Sequence, residues 1–272
     1  MTSSPVTGAS RRTLLLHGFL QPPFRGPMLA AILGLIASSA IDFRTSLPLF
    51  CGAMADAKWI TGVKANLSFI LAVNPPLNLA LSWITMVAAM MTPLIALPLA
   101  YVRTSSLSTR RERSAVCFLL GYFAVWGMAG LPLLAAALTL RLITGGATAV
   151  LLTAIAVALV WAASPLQIQA QNRAHRLQRI GLFGFAADRD CFCAGVILGC
   201  WCLASCWAWM LIPLFIARGH GVAMAAVGII VLAERLRGPE RAIWRIPVIL
   251  SRPVDWLQSL FRYRWRGSDG YV

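Results

Sequence analysis

Sulfur is the chemistry that these side chains offer most densely. Seven cysteines and nine methionines occur in 272 residues, against three histidines. Cys191, Cys193, Cys200, Cys202 and Cys206 crowd one stretch, and Met86, Met90 and Met91 another. On a helix turning about 100° per residue, Cys202, Cys206 and Met210 stand at i, i+4 and i+8 and share one stripe, whereas Cys193 and Cys200 fall on a different side. Met86 and Met90 are likewise one turn apart. Thiolate and thioether are soft donors that select Cu(I) over magnesium or calcium, so the spacing reads as a Cu(I) site with Cys202 and Cys206 as thiolates, Met86 or Met90 as thioethers, and Met210 extending the stripe. His220 with Met224, and Cys51 with Met54, are candidate outer ligands. Against this stands the plainer reading that Cys and Met fill helix interfaces as ordinary apolar residues. A Cys202–Cys206 disulfide would close a single helical turn and gain little.

Other chemistry is harder to find. There is no glycine-rich phosphate loop, no Ser/His/Asp set and no glutamate-bearing zinc helix, so an enzyme is not expected. A charge deep in a bilayer is costly and marks transport when it persists. Asp42 beside Arg44 and Glu234 beside Arg235 stand only at the ends of apolar runs, which disfavours an ion-coupled transporter.

The elements that must position the sulfur are membrane helices. A composition 59% hydrophobic and 12% charged, with mean hydropathy +0.74, excludes a soluble globular domain. Uncharged runs recur near the roughly 20 residues that a helix needs to cross a bilayer. The expected fold is an all-α polytopic bundle of about six spans, at 27–43, 77–102, 114–140, 146–164, 193–217 and 219–234. Residues 1–26 form an N-terminal cytoplasmic segment, 27–234 the membrane domain and 235–272 a basic aromatic tail. No secretory signal is read at the start, because the Leu14–Leu16 run breaks at His17-Gly18 and Gln21-Pro22-Pro23.

The net charge of +15 could point to nucleic acid, but the placement of the charge says otherwise. With both termini inside, 19 of the 24 basic residues fall on the cytoplasmic side and five outside, Arg44, Lys58, Lys64, Arg141 and Arg218. That split accounts for the excess without a nucleic-acid partner, and the expected location is a plasma membrane, crossed several times. The loop 44–76 then faces out, with Leu67–Val73 as an interfacial or re-entrant turn. The amide-rich 165–192 segment reads as a cytoplasmic loop. In the tail, Trp256, Leu257, Leu260 and Phe261 share one helical side among arginines, which fits a surface helix on anionic lipid; the alternative is an unstructured basic tether.

Several motifs occur in order: Trp83-x-x-Met86-x-x-Ala89-Met90-Met91-x-Pro93, Gly121-Tyr122-x-x-x-Trp126, Ser164-Pro165-Leu166, Cys202-x-x-x-Cys206-Trp207-x-x-Met210 and Glu234-Arg235. Over about 80–265 the chain resembles the bacterial family of predicted metal-binding integral membrane proteins, which are copper-chaperone-like, one branch being linked to maturation of a copper oxidase. The resemblance implies copper handling and a cuproprotein or other membrane-protein partner. This chain is a divergent member: Leu198 stands where the family places a His, Ser205 where it places a Cys, and Ala170 and Ala174 at a cytoplasmic Cys pair, leaving His175 nearby and Cys191, Cys193 and Cys200 as substitutes. The alternative function is a non-catalytic structural or assembly subunit of a larger membrane complex. Ten tryptophans and the small-residue faces Ala88-Ala89 and Gly127-x-x-Gly130 would serve it.

Overall fold

A computed structural model describes residues 25–44, 76–144, 146–176, 178–181, 183–216 and 219–250, and the described residues are helical with no strand. Eight α-helices follow in chain order: α1 (Arg25–Arg44), α2 (Pro76–Met91), α3 (Ala96–Ser105), α4 (Arg111–Thr144), α5 (Ala147–Ala163), α6 (Pro165–Ala174), α7 (Gly184–Leu214) and α8 (His220–Leu236). Cys51, Met54, most of the 44–76 loop and the Trp256–Phe261 stripe lie outside the described residues.

Among the described residues three helical stretches are long and apolar enough to cross a membrane: Ala80–Ser105, Ser108–Thr144 and Gly184–Leu214. A fourth is the pair α5 and α6, bent by 66° at Ser164, if the two count as one span. The bend has a local cause. Pro165 cannot continue the hydrogen-bond ladder of α5, and Ser164 caps the new helix by accepting from the Gln167 backbone N–H at 3.2 Å. A similar interruption divides α2 from α3, where Pro93 sits in the short 3₁₀ turn Thr92–Ile95.

Glycine brings α4 and α7 together. A Cβ on Gly195 would lie 2.1 Å from the Phe118 carbonyl oxygen, and one on Gly121 would lie 2.2 Å from that of Phe192. Only hydrogen fits there, so the two backbones approach closely, as small residues allow between membrane helices. The pairs 118 with 195 and 122 with 202 rise together, so α4 and α7 run parallel. Arg110 and Arg113 close their N-terminal ends on the Asp188 carboxylate at 2.7 and 2.6 Å. The stretch α2 to α3 runs the opposite way. Trp83 Nε1 donates to the Trp126 carbonyl at 2.8 Å, while Arg103 pairs with Glu112. A turn through Gly219, at φ 78°, returns the chain from α7 into α8.

The 165–192 segment departs from the loop expected for it. Its first part is the helix α6, whose Gln167 and Gln171 are buried, and α7 begins at Gly184 rather than 193. The amides have distant partners. Gln167 donates to Glu234 at 2.7 Å, and the Arg245 guanidinium donates to the side-chain oxygens of Gln167 and Gln171 at 3.1 and 2.9 Å. Asn172 and Glu240 exchange two hydrogen bonds, of 2.7 and 3.0 Å. The tail up to Leu250 therefore crosses α6 as a docked, largely non-helical strap, and Val248–Leu250 is its only helical turn among the described residues.

Candidate metal centre

The α7 stripe faces inward. Cys202, Cys206 and Met210 are fully buried, while Cys193 and Cys200 are exposed. The Cys206 Sγ donates to the Cys202 carbonyl at 2.8 Å, the back-bond that a side chain one turn along can make, and Ser205 Oγ donates to the same carbonyl at 2.8 Å.

Two further helices complete the surroundings. From α4, the Tyr122 hydroxyl donates to Cys202 Sγ at 3.2 Å, held there by the glycine crossing one residue before it. From the end of α2, Met91 Sδ lies 4.0 Å from Cys206 Sγ. The thioether beside the thiols is thus Met91, the neighbour of the Met90 that spacing selected. Met86 and Met90 are buried on the same helix, and Met90 faces α8, where a Cβ on Gly228 would lie 3.8 Å from the Met90 Cα. Because α2 opposes α4, α4 parallels α7 and α8 returns from α7, α2 and α8 run in the same direction. The Met90–Gly228 register then sets Met224 level with Met86, one turn further out, and His220 a turn beyond. Both are buried. The His220 Nδ1 lies 3.1 Å from the Pro213 carbonyl oxygen, which can only accept, so Nδ1 carries a proton there.

The family positions that departed from pattern are also placed. Ser205 sits beside the thiol pair with its hydroxyl engaged. Leu198 lines a groove on α3, α4 and α7 with Trp201, over whose ring Arg173 stacks at 4.7 Å. Ala170 and Ala174 are buried in α6. His175 is no free ligand, because Nδ1 faces the Gln171 carbonyl at 2.7 Å and Nε2 the Arg235 carbonyl at 3.1 Å. Burial and then the Arg235 charge hold its pKa below the ordinary value.

No group of three or more His, Cys, Asp or Glu residues is gathered among the described residues. The set is two thiols and a thioether, soft donors of the kind that copper sites use. Residues 80–252 match the PpoB2 copper chaperone family. This chain belongs to that family. No curated protein and no solved structure matches it. Membership points to copper handling, and the helices are compatible with insertion in a membrane.

Proposed function

We propose that this chaperone is a multi-pass membrane protein that holds Cu(I) at Cys202, Cys206 and Met91 and passes it to a cuproprotein partner. The observation that carries the reading is the 4.0 Å approach of Met91 Sδ to Cys206 Sγ, between two separate helices and with both residues fully buried. Packing alone would put any apolar side chain there. Outward of the thiols, Met90, Met86 with Met224, and His220 form successive levels of soft or borderline donors, which supports a path along which a soft ion exchanges ligands without entering lipid. Loading must displace the thiol protons, since the thiolate is the ligand, so copper uptake releases protons.

Six spans with both termini in the cytoplasm fit this path, and its His220 end then faces outward. Elemental analysis of the detergent-purified chain, loaded under reducing conditions, tests the reading. About one Cu(I) per chain is expected. Cys206→Ser should abolish loading with helicity and insertion unchanged, and Met91→Leu should weaken it roughly tenfold. Cys193→Ser, at an exposed position, should change nothing. Unmodified protein that stays copper-free would remove the reading and favour an assembly subunit.

A further inference from the structure

A shallow groove between α3, α4 and α7 combines two chemistries in one lining. Its body is apolar, with Val102 from α3, Phe118 from α4, and Ile197 and Leu198 from α7. The segment that leaves α6 adds two cations, Arg173 and Arg176, and no Asp or Glu is among the lining residues. Local structure aims both cations the same way. Arg173 lies in the last turn of α6, and the Arg176 backbone N–H donates to the Arg173 carbonyl at 3.1 Å, so the turn continues and residues three apart share one side. The Arg173 guanidinium stacks over the Trp201 ring at 4.7 Å, and the Tyr101 hydroxyl donates to the Gln178 carbonyl at 3.3 Å on the same groove.

Neither guanidinium has an ion-pair partner among the described residues, although neighbouring arginines do: Arg110 and Arg113 share Asp188, and Arg103 takes Glu112. Both are exposed. Stacking occupies one flat face of Arg173, while the N–H donors of an arginine lie in the plane at its edge, in a fork that matches phosphate. An occupant of the groove must therefore bring negative charge and hydrocarbon together. A phospholipid with an anionic headgroup does so, whereas a partner helix brings apolar side chains and needs no anion. The location agrees. The groove lies toward the end of α3 and the starts of α4 and α7, which in the proposed topology is the cytoplasmic leaflet, where anionic lipid collects and basic pockets between helices bind headgroups.

We propose that this groove is a binding site for an anionic phospholipid, with the headgroup phosphate held by Arg173 and Arg176 and an acyl chain laid over Phe118, Ile197 and Leu198. The proposal rests on the multi-pass membrane reading and is independent of the copper site. Each part of the lining has its own task. The two guanidinium groups select a net negative headgroup over a zwitterionic one, whose own ammonium opposes them. The apolar body selects a lipid over its water-soluble headgroup alone, because only a chain removes that surface from water. The strap beyond α8 carries another exposed arginine, Arg241, which contributes nothing to the groove lining and so separates this site from general attraction of basic residues to anionic lipid.

Native mass spectrometry of the detergent-purified full chain, titrated with phosphatidylglycerol, phosphatidylcholine or glycerol phosphate, tests this. The unmodified chain should retain phosphatidylglycerol in preference to phosphatidylcholine, and glycerol phosphate should not displace it. Arg173→Gln and Arg176→Gln should each weaken phosphatidylglycerol binding about fivefold, and together about thirtyfold, which removes the preference. Ile197→Trp, at a partly exposed position, fills the groove with charge intact and should weaken both lipids. Arg241→Gln should change nothing. Circular dichroism shows whether each variant keeps its helix; should the double variant lose it, the two single variants and Ile197→Trp carry the test. A preference that survives in folded arginine variants overturns the site, as do full lipid affinity in Ile197→Trp and displacement by glycerol phosphate. An unmodified chain without the preference also overturns it and leaves the groove to a partner helix. A chain that alkaline carbonate strips from membranes overturns the site and the membrane reading together.

Discussion

Tyr122 and Ser205 show how single atoms tune a thiol. The Tyr122 hydroxyl donates to Cys202 from another helix, and a donor to a ligating sulfur fixes its lone-pair direction before the metal arrives. Tyr122→Phe should therefore weaken Cu(I) binding about three- to tenfold while costing about 1 kcal/mol or less in thermal stability, the net worth of one hydrogen bond. Chelator competition and a melting curve read the two effects separately; equal affinity in the variant would make the contact mere packing. Ser205 adjoins the pair, so Ser205→Cys should add a third thiol and raise Cu(I) affinity, measured in the same titration. The choice of Cys202 and Cys206 could be read from a four-residue spacing. Met91 could not, for a physical reason. Met90 and Met91 are both buried in α2, so apolar character does not tell them apart, and the i, i+4 pairing with Met86 selects Met90. Met91 lies about 100° further round, on the face that meets α7.

Elements place those atoms by how closely their backbones approach. The Gly121 and Gly195 contacts leave no volume for a methyl group, and the opposing atoms are backbone carbonyls that cannot rotate away. Gly195→Ala should separate α4 from α7, costing about 1–3 kcal/mol, and pull Tyr122 from Cys202, so stability and Cu(I) affinity fall together. A variant with unchanged melting would show that the crossing is looser than drawn. Helix α6 teaches the opposite lesson about legibility. Its glutamines and asparagine look like a solvated loop, because the partners that bury them, Glu234, Glu240 and Arg245, come from nearly seventy residues away or more. His175 makes this strap sensitive to pH. Its folded pKa is depressed by burial, so the undocked chain binds a proton more readily than the docked one. Docking should be strongest above about pH 6.5 and weaken as pH falls below it, and His175→Gln should flatten that dependence. Hydrogen exchange over residues 237–247 reports it.

The whole molecule carries a parity argument for its topology. Parallel α4 and α7 require the chain to cross back between them, and α5 is the element available, despite a length of only 17 residues. With α2 opposed to α4 and α8 opposed to α7, the helices α2, α4, α5, α7 and α8 alternate in direction; among the described residues three stretches are long and apolar enough to cross a membrane, or four if α5 and α6 count as one, and the six spans proposed would add α8 and α1. Under the proposed topology 19 of the 24 basic residues fall on the cytoplasmic side, where short loops favour them. Composition makes the all-helical, apolar character legible at this scale, since apolar length is a property that lipid selects directly, whatever the helices pack against. The expected outcome is concrete. In intact spheroplasts a membrane-impermeant thiol reagent should label Cys51, in the 44–76 loop, while a cysteine added after Val272 reacts only once the membrane is opened. Cys202 and Cys206, buried in the bundle, should resist the reagent in both conditions until detergent unfolds the chain. Labelling of the added C-terminal cysteine in intact spheroplasts would reverse the orientation, and would turn the His220 end of the donor ladder toward the cytoplasm.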